Sequence, residues 1–225
     1  MLTHSLGTLS HKGRGKEWTP PGMKMLIVLR ILAISLAVAF ATSATAATDL
    51  APPDNAAVSY HGVSFPQVIG DGRRISARDK EATEAGLGFE AVYVHGAAAT
   101  TIHIYNLNKF RIPDDVRGPV ATREFNSLKH TVLSTRSGGQ EVSRGREFTV
   151  ADGRDVPRLV CAPYVMAQGH MSVPDDRVIF RSDYIVCLGV VNGEFLQTST
   201  RVSHLPDSVT VARRFLGALV RQIWN

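Results

Sequence analysis

Apolar, β-branched and aromatic residues dominate three long runs in the last third of the chain, and short polar turns separate them. The runs cover residues 158–168, 178–190 and 194–203, and this composition favours β-strands. Asn192-Gly193 lies between the last two runs and is a strong signal for a two-residue hairpin turn. We therefore predict a three-stranded antiparallel meander whose middle strand directs one set of side chains to the core: Val178, Phe180, Tyr184, Val186, Leu188 and Val190.

Shorter extended segments precede the meander. Residues 88–95 and 100–105 are rich in β-branched and aromatic side chains and flank a turn of small residues, which predicts a second hairpin. Further short strands are indicated at residues 63–66, 73–78 and 147–150.

Two segments follow the helical period of 3.6 residues instead. In residues 119–136 the apolar side chains Phe125, Leu128 and Val132 recur at helical spacing. The second segment starts at Pro206-Asp207-Ser208 and carries a longer apolar stripe: Ala212, Phe215, Leu216, Leu219, Val220 and Ile223. We predict an α+β fold in which an antiparallel sheet of about six or seven strands carries two main helices packed on it.

A leader segment precedes this domain. Residues 23–46 begin with basic residues, continue with an apolar run of about ten residues and end in Ala44-Thr45-Ala46, which is the pattern of a secretory signal peptide. We predict cleavage after Ala46. An uncleaved membrane anchor is the alternative, but Arg30 interrupts the run and a spanning helix needs about 20 apolar residues.

The segments on either side of the leader complete the organisation of the chain. Residues 1–22 lack any hydrophobic period and are interpreted as an over-extended N-terminus, which leaves Met1, Met23 and Met25 open as the start. Residues 47–59 contain Pro52-Pro53 and are expected to form a flexible tail. Residues 60–225 are expected to form a single domain.

The positive charge of the chain belongs mostly to the leader. The whole chain has 25 Lys and Arg against 20 Asp and Glu, a net charge of +5. Residues 1–46 hold five of the basic residues and one of the acidic residues, which leaves 20 basic and 19 acidic residues in the remainder. Because no basic surface remains, we do not expect nucleic acid as a partner.

The chain has two cysteines, and they lie on the first two strands of the predicted meander. Partners in an antiparallel pair have residue numbers with a constant sum, so a turn centred on Pro174 places Cys161 opposite Cys187. Opposed Cβ atoms are roughly 4.5–5.5 Å apart, near the separation that a disulfide needs. We predict a disulfide in an oxidising compartment. Two buried free thiols and a redox-active pair are the alternatives, and the C-x-x-C spacing of the latter is absent.

Histidines and paired aspartates are the first candidates for a metal site or for acid–base chemistry. The histidines lack the H-x-x-x-H and His-x-His spacings, so no metal ligand is predicted. Asp114-Asp115 and Asp175-Asp176 each follow a proline, where aspartate is favoured for turn hydrogen bonds. A calcium site or an acid–base pair is the alternative for these aspartates. The histidines considered are His61, His95, His103, His130 and His170.

Motifs for covalent catalysis and for phosphate binding are missing from the sequence. We therefore predict no catalytic residue and no cofactor, although scattered catalytic residues leave no motif. One long loop over residues 106–117 is a candidate for receiving an anionic ligand through Asn106, Lys109, Arg111 and Arg117. A solvated loop without a ligand is the alternative.

Five short motifs carry a resemblance to known proteins: Phe65-Pro66, Gly86-Leu87-Gly88-Phe89, the run Ile-His-Ile-Tyr-Asn-Leu at 102–107, Ile112-Pro113-Asp114, and Phe125. With the meander and the closing helix, residues 60–224 resemble a group of exported proteobacterial proteins of unknown function. More distantly, they resemble the PsbP-type α/β/α sandwich. That fold generally docks on partner proteins, so the resemblance implies a binding module, and it supplies no site residues.

We therefore expect a periplasmic or secreted protein that acts as a non-catalytic binding or accessory module. Its partner stays open, and another envelope protein is one candidate. Stable insertion into a membrane after signal cleavage is not expected. The alternatives are a secreted hydrolase with an unrecognised site and a structural cell-envelope protein.

Overall fold

The computed structural model describes residues 56–81, 83, 85–108, 111–134, 141–170 and 178–224, all within the compact unit Ala44–Asn225. At positions 141, 168–170 and 178–180 the description covers the backbone alone. The predicted signal peptide, the segment before it and the turn between the first two meander strands lie outside the described residues.

Strands dominate the described part of the chain. The helices are α1 (Pro119–Ser134) and α2 (Ser208–Trp224). The strands are β1 (Val58–Tyr60), β2 (Val63–Phe65), β3 (Val68–Ile69), β4 (Gly72–Asp79), β5 (Phe89–His95), β6 (Ala98–Tyr105), β7 (Glu141–Arg144), β8 (Phe148–Ala151), β9 (Pro157–His170), β10 (Val178–Val191) and β11 (Glu194–Ser203).

Nine of these strands form one antiparallel sheet, which is curled like half a barrel. Its order is β3-β4-β5-β6-β11-β10-β9-β7, and β8 also pairs with β9, while β1 and β2 form a separate small sheet. The predicted six- or seven-stranded sandwich with two helices is therefore wrong, because the fold is richer in β-structure. Strands β1, β3 and β7 have two to four residues each, which is too short for a hydrophobic period to be visible in the sequence.

The predicted meander is confirmed in its strands and in its register. Cys161 lies directly opposite Cys187, and Tyr164 lies opposite Tyr184, as the constant-sum rule requires. The two cysteines form a disulfide, with their Cα atoms 4.0 Å apart. The hairpin between β10 and β11 turns at Asn192-Gly193, where both residues have positive φ. The sequence therefore set the pairing of the three strands that form the centre of the sheet.

The two helices lie on opposite faces of the sheet. Helix α2 packs its predicted apolar stripe on one face, in a core that includes Phe89, Ile102 and the disulfide. Helix α1 packs Phe125 and Val132 on the other face, against the side chains of β9 and β10. Both helical predictions are confirmed, and the two amphipathic stripes bury the centre of the sheet from both sides.

The β1–β2 hairpin adds to the layer that α2 forms. Its two-residue turn is His61-Gly62, and both residues have positive φ, as in the turns that fit strand twist. Arg74 is buried, and its guanidinium donates to the backbone carbonyls of Phe65 and Ala56. Strand β1 begins at Val58, within the segment expected to be a tail, so the last residues of that segment belong to the folded domain.

The outer edge of β4 is irregular. Strand β3 pairs only with Gly72 and Arg73 at the beginning of β4. Directly after this short pairing, the register of β4 shifts between Arg74 and Ser76, which marks a β-bulge. Ile75 is the extra residue at the bulge, and its side chain is exposed.

Candidate functional site

Most of the sheet formed by β4, β5, β6 and β11 is buried on one face only. On the face under α2, consecutive side chains along β5, β6 and β11 are buried, whereas those on the opposite face are partly or fully exposed as far as His103 and Gln197. Beyond these two residues, Tyr105 and Phe195 are buried in the cluster of α1, and Tyr105 donates to Glu124 of α1. Within the described residues, the rest of this face is uncovered. We call this uncovered part the open face; its side chains include Val92, Val94, Ala99, Thr101, His103, Gln197, Ser199 and Arg201.

One row of paired residues crosses the open face near the end of the sheet that holds the β5–β6 turn. Arg73 is opposite Val94, Val94 is opposite Ala99, Ala99 is opposite Arg201, and Arg201 is opposite Tyr184. Three strand spacings separate the two arginines, or about 14 Å. Small and apolar side chains therefore form a floor with a guanidinium on either side.

A cleft with a volume of about 550 Å³ lies at this end of the open face. Residues from β5, β6, β9, β10 and β11 surround it, so the sheet itself positions the walls. Within the described residues, Arg181 and Arg201 form no ion pair with a carboxylate. The lining consists of Val94, Gly96, Ala97, Ala98, Ala99, Met166, Arg181, Ser182, Arg201, Val202 and Ser203.

A cluster of titratable side chains lies farther along the same face. Lys80 forms an ion pair with Glu90, and the Nδ1 atom of His103 lies 3.6 Å from the Oε2 atom of Glu90. Burial lowers the pKa of His103 to about 4, with a further lowering by Lys80, while the Glu90 carboxylate acts in the opposite direction. The imidazole is therefore neutral at pH 7, and the cluster presents a satisfied ion pair beside a neutral ring.

A histidine–carboxylate pair lies at the end of the sheet that holds the Asn192-Gly193 turn. The Nδ1 atom of His61 is 3.0 Å from both carboxylate oxygens of Glu194, and the Nδ2 atom of Asn106 donates to the same carboxylate at 3.4 Å. Glu194 is buried, whereas about half of the His61 side chain is exposed. Asn192 Nδ2 donates to the carbonyl of His61, so these bonds hold the β1–β2 hairpin against the main sheet.

A second pair has the residue types of a hydrolase triad but not its geometry. His204 Nδ1 is 2.9 Å from Asp183 Oδ1, and the hydroxyl of Ser208 donates to the same carboxylate. In a catalytic triad the hydroxyl bonds the imidazole instead. Ser208 is the first residue of α2, so the three side chains anchor the start of that helix to β10.

A buried polar chain lies under α2, on the face away from the cleft. His95 Nε2 is 2.8 Å from the hydroxyl of Thr100, which is 2.8 Å from the hydroxyl of Thr200. The ring of His95 stacks on Phe215 at 4.3 Å between centroids. Burial lowers the pKa of His95, so its ring is neutral and serves as part of the packed core.

The described residues of the predicted anion-binding loop lie in two places. Asn106 donates to Glu194, and Arg111 lies beside Gly193, the residue before Glu194. Arg117 borders a separate small cleft of about 170 Å³, and Lys109 lies outside the described residues. The guanidinium on the open face, that of Arg201, comes from the meander, where no sequence motif selects it.

Two further features bear on the kind of site. In the described ranges, no three His, Cys, Asp or Glu side chains form a group able to hold a metal ion. Neither of the described helices is long and apolar enough to cross a bilayer.

No protein-family model matches the chain, and no curated protein is significantly similar to it. The resemblance to exported proteobacterial proteins and to the PsbP-type family therefore stays a prediction. Function is therefore inferred from the geometry of the open face.

Proposed function

We propose that the protein is an exported, non-catalytic binding module and that the open face is its binding surface. One observation carries the proposal: within the described residues, a sheet buried on both faces at its centre leaves most of one face of β4, β5, β6 and β11 uncovered, and a cleft lies on that face. Binding sites of small molecules are concave and mostly apolar, with a few polar groups that fix orientation. The lining of this cleft has that character.

The disulfide supports an extracytoplasmic location. Disulfides persist in oxidising compartments, such as the periplasm and the extracellular space, and are rare in the cytosol. Both cysteines of the chain take part in the bond. The signal-peptide pattern of residues 23–46 points to the same compartment, so we assign the mature chain to the periplasm or to secretion.

The arrangement of titratable groups favours binding over hydrolysis. The described residues of the cleft lining include two arginines but no histidine, cysteine or carboxylate. At the two histidine–carboxylate pairs, no described serine or cysteine side chain hydrogen-bonds the imidazole of His61 or His204. No specific observation favours the secreted hydrolase or the structural envelope protein.

Site-directed photo-crosslinking in intact cells tests the proposal. A benzoylphenylalanine in place of Ser199 or Thr101 reports what occupies the open face, and the same residue in place of Asn126, on the exposed side of α1, is the matched control. We expect an adduct from the open face that the control does not give. The mass of the adduct separates a small molecule from a protein partner.

Two outcomes would contradict the proposal. The absence of an adduct at both open-face positions would remove the binding surface, and equal labelling of the control would make the labelling non-specific. Intact-mass measurement of the same samples tests export, because processing after Ala46 leaves a chain that starts at Ala47. An unprocessed chain in the cytoplasmic fraction would refute the location.

A further inference from the structure

The volume of the cleft fits a small ligand. The cleft volume of about 550 Å³ lies inside the range of roughly 300–1,000 Å³ that small-molecule sites occupy.

The lining of the cleft selects the chemistry of that ligand. The apolar side chains of the floor are those of Val94, Ala99 and Met166. Arg201 brings a guanidinium to the same face, because it lies opposite Ala99. Arg181 lies three positions from the residue of β10 that pairs with Arg201, so strand alternation directs its side chain to the other face. No acidic residue is among the described residues of the lining, and a carboxylate accepts two parallel hydrogen bonds from a guanidinium.

The positions of these groups place the acidic end of the ligand. Arg201 lies in the row that includes Val94 and Ala99, so its guanidinium extends from the same floor that carries the apolar side chains. Arg73 stands in line with this row, about 14 Å from Arg201. These arginines make the potential over the cleft positive, which attracts anions and raises their local concentration.

We infer that the cleft binds a small amphiphilic carboxylate. Its apolar part lies on the floor formed by Val94, Ala99 and Met166, and its carboxylate is bound by Arg201. This inference rests on the proposed function, and it names the class of ligand that the open face takes.

Isothermal titration of the processed protein with dodecanoate, below its micelle concentration, tests the inference. Dodecyltrimethylammonium has the same tail with the opposite charge, and acetate has the acidic group without the tail. We expect saturable binding of dodecanoate with one molecule per chain, and at least tenfold weaker binding of both control compounds. Equal binding of the cationic detergent, or binding without saturation, would overturn the inference.

Variants of the protein locate the site. Arg201→Gln is expected to weaken dodecanoate binding about tenfold or more, because it removes a charge-assisted hydrogen bond. Arg214→Gln removes an exposed arginine of α2, away from the open face, and is expected to bind as tightly as the unchanged protein. Unchanged affinity in Arg201→Gln would refute the assignment.

A third variant does not depend on charge. Ala99→Trp places a large ring on the exposed floor of the cleft, where strand geometry accepts an aromatic residue. We expect loss of dodecanoate binding with an unchanged thermal midpoint. Full dodecanoate binding by this variant would place the ligand elsewhere and overturn the inference.

A vesicle assay distinguishes a free carboxylate from a lipid surface as the source of the acidic group. Co-sedimentation with phosphatidylglycerol vesicles, without binding of dodecanoate, would replace a free carboxylate with a lipid surface and overturn the inference. The experiments can refute the ligand class without refuting the proposed function. A specific open-face adduct without dodecanoate binding refutes the carboxylate and leaves the binding module in place, whereas absence of the adduct refutes the module.

Discussion

His103 makes the stability of the open face depend on pH. Its side chain is 18% exposed, and its Nδ1 atom lies 3.6 Å from Glu90 Oε2. Burial lowers its pKa from 6.5 to about 4 in the folded protein. In the unfolded chain the pKa is about 6.5. Between these two values the unfolded state binds the proton and the folded state does not.

The sign and size of the effect follow from linkage. A lowered pKa in the folded state means that stability is complete above about pH 6.5 and falls as the pH decreases toward 4. Each pH unit within that window costs about 1.4 kcal/mol for one proton, so the whole effect is at most about 3.5 kcal/mol. His95 acts in the same direction, because burial lowers its pKa too.

The variant His103→Gln isolates this effect. Glutamine keeps a polar side chain of similar length but does not titrate, so the variant loses less stability on acidification than the unchanged protein. We expect urea unfolding at half-unit steps from pH 7.5 to 4.5 to give free energies that diverge by roughly 1 kcal/mol per pH unit below pH 6.5.

A second histidine variant is the control for this experiment. His130→Gln changes an exposed histidine on α1, and its pH dependence should match that of the unchanged protein. If the difference in unfolding free energy between His103→Gln and the unchanged protein is constant from pH 7.5 to 4.5, then His103 is not buried in the way that this reasoning requires.

Three further predictions concern the scaffold. Reduction of the Cys161–Cys187 bond opens a crosslink with a sequence separation of 26 and should cost about 3.5 kcal/mol. Urea unfolding with and without reductant measures this cost, and the unfolding free energy of the double alanine variant should be the same in both conditions. Arg74→Met removes donors to the buried carbonyl of Phe65 and to the carbonyl of Ala56, and should cost about 2 kcal/mol. Hydrogen exchange in the β1–β2 hairpin should then rise before exchange in β10, and unchanged hairpin protection would contradict the role of Arg74. Gly88 has a positive φ, and Gly88→Ala would place a Cβ 1.8 Å from the backbone oxygen of Ile104. This change should cost well over 1 kcal/mol. Gly96→Ala, also at positive φ but in open space, should cost much less, and equal thermal midpoints for the two variants would contradict the clash.

The sequence was most informative where one local rule fixes a long-range result. A single turn and a constant sum of residue numbers were enough to pair Cys161 with Cys187, because hairpin register follows from the position of the turn. The apolar stripe of α2 was predicted for a similar reason, since six side chains at helical spacing leave one face to bury.

The open face was not predictable, because alternation does not say which side of a strand a helix will cover. Residues 98–104 alternate in burial, but the exposure of Thr101 and His103 depends on where α1 packs, and α1 covers the next residue on that face, Tyr105. Contacts between distant residues left even less signal. His61 and Glu194 are separated by 133 positions, and neither belongs to a motif.

The pairing of β1 with β2 was missed for a different physical reason, although residues 63–66 were predicted to be extended. The turn between β1 and β2 has His61 with a φ of 46°, a conformation that a sequence search expects from asparagine or glycine. The contacts that hold this turn come from the main sheet, through Glu194 and Asn192. Tertiary packing, rather than turn propensity, therefore determines the hairpin.

The bulge in β4 has a consequence for how molecules of this protein behave at high concentration. A straight edge strand offers unpaired backbone groups to a neighbouring molecule and invites sheet-to-sheet aggregation. Here the bulge at Ile75 begins where the pairing with β3 ends, so the uncovered part of the edge is bent, and Arg78 adds charge to it. The protein therefore limits the growth of its own sheet into fibrils without a further strand or a partner to cover that edge.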